Sequence, residues 1–80
     1  MEYRVEILDQ LALHGIRPRP STSPDFVRDY LSDLYRYEIR RLKKRLQRGE
    51  FPQTDYLSRV VQLRVKYPLL SIPTRLWRIE

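Results

Sequence analysis

Eighty residues with a formal charge of +6 suffice for one domain, but a chain this short buries only about 60% of the surface its unfolded form exposes, which leaves a marginal core. The chain has no cysteine, one histidine (His14) and two glycines. This excludes a disulfide framework, a thiolate zinc site and a glycine-rich phosphate loop, and no cofactor is implied.

The opening Met-Glu-Tyr-Arg-Val-Glu has no basic flank leading into an apolar stretch, and no run approaches the ~20 apolar residues of a membrane span. A soluble, cytoplasmic protein is therefore expected. Ile7, Leu8, Leu11 and Ala12 then fall at helical spacing, and His14-Gly15 is a suitable stop, so a first helix is predicted over residues 3–13. The connector Arg-Pro-Arg-Pro-Ser-Thr-Ser-Pro, residues 17–24, is extended at Pro18 and Pro20. It ends with Ser23 as N-cap and Pro24 at the first helical position.

From Pro24 a helix can run to Arg48, because Gly49 can take the left-handed conformation that ends one. At ~1.5 Å per residue that is about 37 Å, long for so small a domain. Val27, Leu31, Leu34, Tyr35, Ile39, Leu42 and Leu46 recur in steps of three and four along one side. A second stripe, Phe26, Tyr30 and Tyr37, occupies the far side of the N-terminal half and continues as Arg41, Lys44 and Arg48. The charges are sorted too. Asp25, Asp29 and Asp33 lie early in the helix, while Arg36, Arg40, Arg41, Lys43, Lys44, Arg45 and Arg48 lie late, against the single anion Glu38. That block's surplus equals the charge of the whole chain, since the remaining basic and acidic residues balance. The helix dipole favours cations in the last turn, but its field decays within a turn and does not account for Arg36, Arg40 or Arg41.

After Gly49 and Phe51-Pro52, Tyr56, Leu57, Val60, Val61 and Leu63 share a helical face, which predicts a third helix over residues 53–66. Arg64 falls inside that apolar arc and is expected to snorkel or to pair with Glu38 or Asp33. Gln53, Thr54, Ser58, Arg59, Gln62 and Lys66 form its polar side, loosely spaced like a helix-turn-helix, although the preceding helix is longer than that motif needs. Pro68 disfavours helix at Tyr67, and residues 69–80 are expected to pack on the core as a helical turn or strap, with Trp77 folded back over it.

The expected fold class is therefore all-α: a small three-helix domain, residues 1–80, with one long central helix and a short C-terminal strap. The alternative is α+β, because residues 3–7, 61–67 and 75–79 alternate apolar and polar side chains and could meet as a small sheet.

The expected function is binding. Without a nucleophile and an orienting acid beside His14, an enzyme is not expected. The leading candidate is contact with a DNA or RNA backbone through Arg36, Arg40, Arg41, Lys43, Lys44, Arg45 and Arg48. The alternative is a protein-interaction or self-association module, an antiparallel dimer or protein partner meeting the seam of Val27, Leu31, Leu34, Ile39, Leu42 and Leu46. In a third reading the cations are no more than a solvated face.

Overall fold

The computed structural model describes residues 2–79. These form a mostly helical chain in the order β1 (Glu2–Tyr3), α1 (Val5–Leu13), α2 (Pro24–Gln47), a 3-10 turn (Gln53–Asp55), α3 (Tyr56–Val65), two further 3-10 turns (Pro68–Ser71 and Thr74–Leu76) and β2 (Arg78–Ile79). The shape is elongated, 47 × 17 × 16 Å, because α2 alone is about 36 Å long.

Both long-range limits of α2 follow from local chemistry. Ser23 is extended and Pro24 takes the first helical position; the Ser23 side chain makes no capping bond, and the backbone of Val27 donates to the Ser23 carbonyl at 3.2 Å instead. At the other end Gly49 has φ +73°, which only glycine adopts without strain. Its amide donates to Leu46 O at 3.0 Å while Glu50 N donates to Arg45 O at 3.1 Å, the paired bonds of a Schellman cap. Helix α1 ends in the same way. Gly15, φ +72°, donates to Ala12 O at 3.0 Å, and Ile16 N donates to Leu11 O at 3.0 Å, which turns Ile16 onto the core.

The core is built against the N-terminal half of α2. Tyr3, Ile7 and Leu11 from the first segment, Val27 and Leu31 from α2, and Tyr67, Leu69 and Trp77 from the tail form one buried cluster. Trp77 is fully buried, its indole N–H donating to Ile72 O at 3.0 Å, so the polar end of the ring is satisfied where the rest is dry. The tail is tied down by Arg28, whose guanidinium donates to Leu70 O at 3.2 Å, and by a Thr74 hydroxyl bond to Asp25.

Two expectations are corrected here. The first helix begins at Val5 and not at residue 3, because Glu2 and Tyr3 pair antiparallel with Ile79 and Arg78, and Arg4 N donates to Trp77 O at 2.9 Å. The small sheet of the alternative reading thus exists in part. Residues 61–67 take no part in it, lying in α3 and the turn after it. The third helix is preceded by a 3-10 turn at Gln53–Asp55, and the tail is two 3-10 turns and a strand; Glu80, its expected last residue, lies outside the described residues.

Replacing Trp77 with alanine should cost about 3–5 kcal/mol, a large part of the stability of a domain this size, whereas Leu57→Ala, at a side chain 76% exposed, should stay within about 0.5 kcal/mol. Urea denaturation followed by far-ultraviolet circular dichroism measures both.

Candidate functional site

Beyond Tyr35 the core gives out and α2 continues with α3 beside it. Helix α3 contributes no fully buried side chain; Tyr56, Val60 and Leu63 are half-buried, and Leu57, Val61 and Val65 are exposed. Leu42 and Phe51 are buried in this region, apart from the main cluster. Phe51 sits directly after the Schellman turn and is flanked by two guanidinium groups, Arg59 at 4.2 Å and Arg45 at 5.8 Å from its ring centre. Each of these arrangements contributes ~0.5–1 kcal/mol at a partly exposed site. They also hold a cation from α2 and one from α3 on the same aromatic ring.

Between the two helices lies an open cleft of about 320 Å³. Arg41 and Arg45 line it from α2, Arg59, Gln62 and Lys66 from α3 and its C-cap, with Leu42 and Leu63 beneath. Its one carboxylate, Glu38, accepts a short hydrogen bond from the Tyr67 hydroxyl. Burial raises the Tyr67 pKa, and the negative Glu38 carboxylate beside it raises it further. Tyr67 also stacks on His14, centroids 4.5 Å apart, and meets Tyr35 edge-on at 5.5 Å. The His14 Nε2–H donates to Lys66 O at 2.8 Å, so the end of α1 clips the end of α3. His14 is thereby a structural residue at the junction of three elements. What the cleft offers chemically is a set of donors with positive charge and little acid, the composition that holds phosphate or carboxylate.

The structure separates the seven cations expected on α2 by their partners. Arg36 reaches Asp33 at 3.7 Å, Arg45 reaches Glu50 at 3.2 Å, and Arg48 reaches Glu50 at 4.0 Å. These pairs are largely exposed and are worth ~0–1 kcal/mol each, too little to withdraw a guanidinium from an incoming anion. Among the described residues, Arg40, Arg41, Lys43 and Lys44 meet no carboxylate. Of the apolar seam, Val27, Leu31 and Leu42 are buried by the chain itself, and Leu34, Ile39 and Leu46 are half-buried.

Of the two courses expected for Arg64, the ion pair is absent: Arg64 is exposed and pairs with neither Glu38 nor Asp33, since Tyr67 takes Glu38 and Arg36 takes Asp33. Arg59 and Lys66 were legible as the polar side of α3 but not as partners of the cationic block. Their spacing of seven, which places them on one face, was the available signal, and Phe51 gave none.

Among the described residues no helix is long and apolar enough to cross a membrane, and no cluster of His, Cys, Asp or Glu is arranged to hold a metal ion. No known protein family, curated protein or solved structure matches this chain.

The Tyr67 pKa is raised in the folded state, so the bond to Glu38 contributes fully below the ordinary value of 10.0 and is lost as the pH climbs through the higher folded one. Tyr67→Phe should therefore cost about 1–2 kcal/mol at neutral pH, with the gap to the wild type closing above pH 10, as urea midpoints across that range would measure.

Proposed function

We propose that this protein is a small, non-enzymatic binding module that contacts the backbone of a nucleic acid through the cationic half of α2 and the facing side of α3. The observation that carries this reading is the convergence of Arg41, Arg45, Arg59 and Lys66 from two helices on one cleft. The exposed Arg40, Lys43 and Lys44 carry the positive charge onto the other faces of α2, and Arg48 follows as its C-cap. Repulsion among so many like charges on one rod is a cost that a solvated face would shed through paired acids, as Glu50 does for Arg45. Arg40, Arg41, Lys43 and Lys44 lack that relief among the described residues. A phosphate backbone supplies it, with released counterions as the driving force.

Replacing Arg41 and Lys66 together with glutamine, one from each wall of the cleft, should weaken binding to any sequence and lower the slope of log K against log salt by ~0.7–0.9 per contact removed. Fluorescence anisotropy with labelled DNA and RNA at several salt concentrations measures this. Failure of the wild-type protein to bind either at low salt ends the reading.

A second reading, contact with another copy of the chain, draws support from one observation: Leu57, Val61 and Val65 form an exposed apolar line along α3. With Val27 and Leu31 already buried in the core, α3 is the better surface for such a dimer than the seam of α2. Sedimentation equilibrium would then give a dimer that Val61→Asp dissociates, and a monomer at high micromolar concentration rules it out.

A further inference from the structure

We propose that the nucleic acid is single-stranded and that the outer stripe of α2 is its track, with Phe26, Tyr30 and Tyr37 stacking on bases while Arg41, Lys44 and Arg48 hold the backbone. This rests on the polyanion reading above and names the ligand class within it. Three aromatic side chains stand 71%, 53% and 57% exposed in one line, on a side of α2 that flanks the buried Val27, Leu31 and Leu42. Packing does not require them there, since the core is complete without them. Scattered exposed aromatics need no explanation, but a row aligned with a row of cations on the same helix face is the arrangement that binds single strands: flat apolar faces for bases, followed by charge for phosphates. The stripe from Phe26 to Arg48 covers about 33 Å, room for several nucleotides.

Its two halves are joined at the middle. The Arg41 guanidinium lies over the Tyr37 ring at 5.9 Å, so the last aromatic and the first cation form one platform. At the other end the connector lies alongside, and Arg17, Pro18 and Arg19 line an open groove of about 410 Å³ with Phe26 and Tyr30. The aromatic end is thus supplied with cations of its own. Of the three aspartates early in α2, Asp25 accepts from the Thr74 hydroxyl and Asp33 forms an exposed pair with Arg36, while Asp29 is exposed beside the stripe. A duplex would not use this surface, because its bases are stacked on one another and present only edges and phosphates. A second copy of the chain would bring another +6 against the first.

The test compares three labelled probes at low salt: an oligouridine of about 12 nucleotides, an abasic strand of equal length, and a duplex. Wild-type protein should bind oligouridine at least tenfold more tightly than the abasic strand, given the usual strength of base stacking on aromatic side chains. The combined variant Phe26→Ala, Tyr30→Ala, Tyr37→Ala should erase that advantage and leave abasic and duplex binding unchanged, with an unaltered thermal transition. The corresponding leucine variant keeps apolar bulk without the flat ring and should fail like the alanine one. Equal binding of all three probes, or an aromatic variant that behaves as wild type, overturns this inference and leaves the polyanion reading standing. No binding of any probe removes both. A wild-type dimer that the alanine variant dissociates assigns the stripe to a second copy and overturns the inference as well.

Discussion

A helix of 24 residues is a rigid rod about 36 Å long, and the other elements of this chain are too short to clothe it along its whole length. Helix α1 has nine residues and α3 has ten, and the tail is held in 3-10 turns. The arrangement resolves this mismatch by concentrating the burial. The first helix, the connector, the tail and the closing strand pair all gather on the N-terminal half of α2, with Trp77 at the centre of the cluster. The C-terminal half is left with α3 and the single residues Tyr67 and Phe51 that flank it. Every feature of the candidate site descends from that division, since only a half-clothed helix can display a dense run of cations and still be anchored by a core at its other end.

The charge pattern reinforces the same polarity. Asp25 sits in the first turn of α2, where the helix dipole favours an anion, and Lys44 and Arg45 sit in the last, where it favours cations. The block extends further upstream than the dipole reaches. Around it the few carboxylates are engaged by neighbours: Glu38 by Tyr67, Glu50 by Arg45, Asp33 by Arg36. The Glu38–Tyr67 bond matters most for geometry, because Tyr67 also carries the stack on His14 and so links α1, α2 and the end of α3. Phe51 performs a similar service at the far end, where its ring holds Arg45 and Arg59 on opposite walls of the cleft.

Much of the fold was legible in the residues. Ser23-Pro24 and Gly49 marked the two ends of α2 because capping chemistry is local, and the spacing of Val27, Leu31 and Leu42 identified its buried side. Trp77 was expected to fold over the core and does so. Tyr3 was misread as helix because so short an alternation of apolar and polar residues carries too little pattern to separate strand from helix when the pairing partner lies at the opposite end of the chain. The pairing offered as one course for Arg64 did not form because its supposed partners were claimed by residues nearer to them in space.

For the site, the sequence by itself determined that the positive charge is confined to one half of one long helix, and that an aromatic stripe leads into it along the same face. Both are consequences of helical periodicity, which relates residues a few positions apart. Only the tertiary structure decided that Arg59 and Lys66 join Arg41 and Arg45 across a cleft, that the first half of the apolar seam, Val27, Leu31 and Leu34, is covered by the chain's own core, and that Phe26, Tyr30 and Tyr37 remain open to solvent. Those outcomes depend on which side of α2 each neighbouring segment packs against. That choice is made by the summed burial of residues distant in sequence, such as Leu11, Leu31 and Trp77, and no local spacing encodes it.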